Sequence, residues 1–120
     1  MQFNEFQNLC CRTMRDEEDL ERIKHAGEGF ASETGEYIDA IKKTRYGKAL
    51  DRTNLIEEVS DILFYCAMAA EGLGVSLDSI AHANVNKLRA RYPAGFSEHD
   101  ANFRDLNAEA VAMVGVVDGI

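Results

Sequence analysis

An all-α helical bundle, four to five helices built on a long antiparallel helix hairpin, is the fold class this 120-residue chain predicts. Three observations predict it. A single proline, Pro93, punctuates the sequence. Long stretches carry no cluster of turn-forming residues. Within those stretches apolar residues recur at alternating steps of three and four, the stripe of a helix that packs on others. The length suits one domain spanning residues 1–120.

The elements follow in order. Residues 2–14 form a short amphipathic helix with Phe3, Phe6, Leu9 and Cys10 on one side, and Arg15 to Asp19 make a charged connector. A long helix runs from about Glu18 to Thr44, with a seam of Leu20, Ile23, Gly27, Phe30, Thr34, Tyr37 and Ile41 and with Glu33 beside it. Phe30 and Tyr37 read as core. Tyr46, Gly47 and Lys48 open a polar loop, and Asn54-x-x-Glu57 resembles a capping box that starts the next helix. That helix carries Leu55, Val59, Ile62, Cys66, Ala69 and Leu73, and Gly72 and Gly74 stop it. Ser76 caps a fourth helix reaching Arg91, which Pro93 ends. A shorter helix near 98–114 and an apolar terminus, Val114 to Ile120, complete the chain.

Composition removes several function classes. The formal net charge is −8, whereas wrapping a nucleic-acid polymer needs clustered Lys and Arg. No apolar run approaches the roughly 20 residues of a membrane span, and the first residues, MQFNEFQNLC, lack the basic and apolar regions of a signal peptide. A cytoplasmic protein with no membrane partner is expected. The three cysteines fit that compartment: Cys10 and Cys11 are adjacent, Cys66 lies in a helix stripe, and no CxxC spacing suggests zinc or redox work. All three read as reduced thiols.

Two acidic pairs carry the functional signal: Glu33-Thr-Gly-Glu36 and Glu58-Val-Ser-Asp61, with 21 residues between them. Residues three apart share a helix face, so each pair aims two carboxylates the same way. A hairpin of the two helices lets all four meet. Like charges about 4 Å apart repel by roughly 4 kcal/mol even at an effective dielectric near 20, so such a gathering calls for a hard divalent cation with oxygen ligands. The alternative is a structural acidic seam. Asp16/Asp19 and Glu18/Glu21 share the spacing and read as solvated faces, whereas the pairs at 33/36 and 58/61 have apolar neighbours. Gly35 and Ser60, one inside each pair, leave room for close helix approach or for a ligand.

Helix four adds Asn84, Lys87 and Arg91 at i, i+3 and i+7, hence on one face. An amide, a point charge and a guanidinium fork suit a polyphosphate; salt bridging to acidic helices is the alternative. Lys42 and Lys43 follow Glu36 by one to two turns, where cations also complement the helix macrodipole, and Lys42 is the substrate-facing candidate of the two. His25, slightly over two turns before Glu33, is a candidate substrate contact, although a lone histidine is more often structural.

These motifs resemble the MazG-like branch of the all-α nucleoside triphosphate pyrophosphohydrolases, whose pattern is ExxE, a spacer, then ExxD. The surrounding ASETGEYIDAIKK and NLIEEVSDILFYCAMAAEGLGVSLDSI fit as well, and ANVNKLRARYPAGFS resembles the family's N-x-x-K-L-x-x-R stretch at Asn84, Lys87, Leu88 and Arg91. The resemblance covers about residues 20–105. It implies that Glu33, Glu36, Glu58 and Asp61 are catalytic Mg²⁺ ligands, with Mn²⁺ a possible substitute. It further implies that Asn84, Lys87 and Arg91 engage phosphates or sugar of a (d)NTP. The reaction implied is hydrolysis between the α and β phosphates to a monophosphate and pyrophosphate, in a homodimer or homotetramer. Ser32 departs from the Glu common before the first motif, and Tyr37 from the usual Leu. Two rival functions share the fold: a non-catalytic oligomerisation or regulatory binding module, and a carboxylate-bridged redox dimetal bundle. The second typically uses Glu-x-x-His pairs, which neither motif supplies.

Overall fold

The computed structural model describes residues 1–114. Among them are six α-helices, one 3₁₀ turn and no strand: α1 Phe3–Cys11, α2 Asp19–Lys42, the 3₁₀ turn Lys43–Tyr46, α3 Arg52–Leu73, α4 Leu77–Arg91, α5 Glu98–Asn102 and α6 Leu106–Val114. The all-α class is as expected, but the helix count exceeds four to five. The excess arises because the helix expected near 98–114 is two. Ser97 Oγ accepts the Asp100 N–H at 3.0 Å to start α5, and the Asp105 carboxylate accepts the Ala108 N–H at 3.0 Å to start α6. Beyond Val114, the expected apolar terminus lies outside the described residues.

The backbone gathers into two compact units, Met1–Gly74 and Val75–Ile120. In the first unit α2 packs along α3, and α1 packs on α3. Gly72 lies against Asp19 and Ile23, Gly29 against Tyr65, and the Glu33 carboxyl against that of Glu58. Residue numbers rise along one helix as they fall along the other.

What α2 buries differs from the expected seam. Ala26, Gly29 and Ala40 are buried while Leu20, Gly27, Thr34 and Ile41 are exposed, so the contact line is rotated by about one residue. On α3 the buried positions are Glu58, Ala67, Met68, Ala70 and Gly72, with Val59 and Leu73 exposed. The reason is interhelical distance: small side chains let the two backbones approach, and the larger aliphatics stand to the sides. Gly35, expected to allow a close approach or to leave space for a ligand, faces open space, and Ser60 is exposed and donates to its own helix at Glu57 O. The close approaches fall instead at Gly29 and Gly72.

The ends of α3 also differ in detail. Asp51, not Asn54, is its N-cap, accepting the Asn54 N–H at 3.0 Å. At the other end Gly74 adopts φ 69°, the left-handed stop expected of glycine. On α1, Cys10 is buried but Phe3 and Leu9 are largely exposed, and buried Gln7 donates to Glu71 on α3 at 3.1 Å.

In the second unit α4 packs against α6. Ser76 caps α4, its hydroxyl accepting the Ser79 N–H at 3.0 Å. Leu77, Ala83 and Glu109 are buried.

Candidate functional site

The site is built where the second half of α2 packs against the first half of α3. Glu33 and Glu36 share one face of α2, and Glu58 rises from α3 opposite them. One oxygen from each of the three lies within 4.8 Å of the others. Glu58 is buried at 6% exposure, Glu33 half-buried and Glu36 exposed, so the cluster runs from the helix interface out to solvent. Asp61 is half-buried one turn beyond Glu58; it is outside the tight group, although its charge still acts on Glu33 and Glu36.

Crowding has an electrostatic signature. Burial, followed by the Glu58 and Glu36 carboxyls beside it, pushes the Glu33 pKa up to about 7. Glu36 is raised as well, chiefly by its contact with Glu58. Two carboxylate oxygens, Glu33 Oε2 and Glu58 Oε2, are shielded from water and have no hydrogen-bond partner. Leaving buried charged acceptors unsatisfied is costly. Three converging carboxylates, two of which carry an orphaned oxygen, fit a divalent cation of the Mg²⁺ or Mn²⁺ kind, which takes oxygen ligands.

One contributor escapes the sequence reading. Asn54 Nδ2 donates to Glu58 Oε1 at 2.6 Å. The capping-box pattern assigned Asn54 to the helix start, yet it stands four residues before Glu58 and therefore on the same face. That spacing was the available signal.

The profile of the MazG nucleotide pyrophosphohydrolase domain matches residues 22–96, a span that includes both acidic pairs and the Asn84 to Arg91 stretch. The chain belongs to the MazG family. The Gene 37 protein of Mycobacterium phage L5 is 30% identical over 81 residues, covering 63% of this chain and 71% of that protein. No solved structure matches significantly.

The remaining predicted residues of this MazG-family chain have varied surroundings. His25 Nδ1 lies 3.1 Å from Glu17 Oε2 and its ring centroid 6.1 Å from that of Tyr65. Lys42 is exposed in the last turn of α2, where it complements the helix dipole. Asn84 is exposed and Lys87 half-buried on α4.

Arg91 is a salt-bridging residue here. Its Nε and Nη2 donate to Glu109 Oε1 at 3.1 and 2.6 Å, and Arg104 donates to both oxygens of the same buried carboxylate at 3.0 and 2.9 Å. Two of these charge-assisted bonds, those of Arg91, tie α4 to α6, and the two of Arg104 tie the segment before α6 to it. Arg104 first, then Arg91, holds the Glu109 pKa down to about 2. A carboxyl depressed in the folded state stabilises the fold above its unfolded pKa near 4.5 and loses that contribution as pH falls toward 2. Acid titration followed by circular dichroism should therefore show a loss of stability between pH 4.5 and 2 that Glu109→Gln makes shallower. An unaltered acid limb in that variant would show that the pair contributes nothing.

No single helix among the described residues is long and apolar enough to cross a membrane. Cys10, Cys11 and Cys66 are free thiols, and burial raises the pKa of each.

Proposed function

We propose that this protein is a metal-dependent nucleoside triphosphate pyrophosphohydrolase that cleaves between the α and β phosphates, releasing a nucleoside monophosphate and pyrophosphate. The observation that carries the reading is the convergence of Glu33, Glu36 and Glu58 with two buried, unpartnered oxygens. Membership of a pyrophosphohydrolase family supports the reaction class. Glu33, Glu36 and Glu58 would hold Mg²⁺, with Asp61 beside them. When bound, the ion supplies charge neutralisation to the phosphates and lowers the pKa of coordinated water. The carboxylates orient that centre on rigid helices rather than loops, and one of the glutamates takes the proton of the attacking water. Asn84 and Lys87 are the proposed phosphate or sugar contacts, as amide and point charge; Arg91 joins them only if it leaves Glu109.

Product analysis across canonical and modified (d)NTPs with Mg²⁺ tests the reading. Equal amounts of monophosphate and pyrophosphate are expected, whereas diphosphate with orthophosphate would place cleavage at the wrong bond.

The Glu33 pKa gives a second, independent test. A carboxyl raised in the folded state stabilises the metal-free fold below about pH 4.5 and loses that contribution as pH rises through about 7. A cation must also displace that proton, so binding weakens as pH falls. The rise in melting temperature produced by Mg²⁺ should therefore grow from pH 6 to pH 8. A shift independent of pH over that range would separate Glu33 from the metal.

A homodimer or homotetramer is part of the proposal. Ile38 and Ile56 on the paired helices are 56% and 68% exposed, large aliphatics that a partner chain would cover. Light scattering of the purified protein at a single-chain mass would remove this element.

A further inference from the structure

We propose that Asn54 is a positioning residue that fixes the orientation in which the Glu58 carboxylate is offered to the cation. The inference rests on the metal-dependent reading above and adds to it a residue that does not itself hold metal or substrate.

Asn54 is tied at both ends. Its backbone N–H is taken by the Asp51 carboxylate at 3.0 Å, and its side-chain amide donates to Glu58 Oε1 at 2.6 Å. Only the NH₂ side of an amide can face a carboxylate oxygen so closely, because its carbonyl would set two acceptors against each other. The bond therefore assigns the two oxygens of Glu58 different tasks. Oε1 is occupied by a donor that cannot be deprotonated at neutral pH. Oε2 is buried and has no hydrogen-bond partner. A half-turn of the carboxylate exchanges the two oxygens and re-forms the same bond, so what the amide holds is the orientation of the group, with one oxygen at Asn54 and the other without a donor.

Asn54 has a second consequence for the metal-free protein. Glu58 is the most buried member of the acidic group, and the neutral amide of Asn54 donates to it at 2.6 Å. The amide keeps that carboxylate satisfied on one side without adding a positive charge that would compete with the cation. A lysine or arginine there would neutralise the cluster and remove its need for metal. Asn54 also lines a cleft of about 390 Å³ with Ala40, Lys43, Lys48, Ala49 and Asp51, so it stands between the carboxylates and an opening at the turn joining α2 to α3.

Outer-shell partners of metal ligands are typically worth 10–100-fold in metal affinity. The test is Mn²⁺ binding to the full chain without nucleotide, read from the electron paramagnetic resonance of the free ion, beside thermal melts of the metal-free protein. Asn54→Ala should weaken Mn²⁺ binding by about 10-fold or more while helical circular dichroism is kept. Asn54→Gln retains an amide that reaches four residues along a helix and should recover most of the affinity. If the Ala variant does not melt cooperatively, Asn54→Ser, whose hydroxyl is too short for that span, should give the same weakening. Affinity unchanged in Ala or Ser overturns the positioning role, as does a Gln variant as weak as they are. A parent protein that binds no Mn²⁺ overturns the metal reading itself, and the role of Asn54 falls with it.

Discussion

Glu58→Gln is expected to abolish triphosphate hydrolysis, lowering turnover by more than the roughly 100-fold upper range for outer-shell partners of a metal, while making the metal-free protein more stable. The two effects have one cause. Glu58 lies in the helix interface with its Oε2 orphaned, beside a Glu33 whose pKa is pushed up to about 7. A neutral amide of the same shape is a poor ligand for a hard cation, so the site loses its most buried donor. The same amide keeps an acceptor for Asn54 and turns a new N–H₂ group toward the glutamates of α2, which relieves repulsion. Functional sites commonly hold such trade-offs. Melting curves without metal should move up, the Mg²⁺-induced rise should vanish, and the helical signal should persist. Unchanged turnover would remove Glu58 from the site. Lower stability without metal would mean that the carboxylates do not strain the fold.

The sequence exposes the four acidic residues because their spacing is a geometric fact: three apart is one helix face, and a spacer long enough to turn back brings two faces together. Glu33, Glu36 and Glu58 meet for that reason. The tighter grouping of three, with Asp61 set apart, depends on helix rotation, which hydrophobic periodicity reads poorly here. The periodicity weights Leu20, Gly27, Thr34 and Ile41, all exposed, above Ala26, Gly29 and Ala40, because size dominates a hydrophobic stripe while closeness of approach favours smallness. The same substitution of criteria hides Asn54. Its residue type and position suit a helix start so well that its second relation, four residues to Glu58, goes unweighed. Arg91 shows the complementary case, since no local pattern marks Glu109, 18 residues away, as its partner.

Gly29→Ala should destabilise the protein, although helix propensity alone predicts a gain of about 1 kcal/mol. Gly29 is buried in α2, and a Cβ there would sit inside the van der Waals envelope of three ring carbons of Tyr65 on α3. The ring is half-buried and lies edge-on to Phe64, 5.3 Å between centroids, so it has little room to swing away. Overpacking of this kind typically costs about 1–3 kcal/mol, and each kcal/mol lowers the melting temperature of a small domain by roughly 4–8 °C. Gly35→Ala is the internal control: it lies on the same helix with the same change in propensity, and nothing stands within 4 Å of the added carbon. The control should hold or raise the melting temperature while Gly29→Ala lowers it. Adding Tyr65→Leu to Gly29→Ala should recover part of the loss, giving a coupling energy in a double-mutant cycle. Gly29 stands about one turn before Glu33, so forcing α2 from α3 there also draws Glu33 away from Glu58 and weakens Mg²⁺ binding. A Gly29→Ala protein that melts higher and binds Mg²⁺ as tightly as the parent would mean that the two helices do not need their glycine contact to assemble the carboxylates.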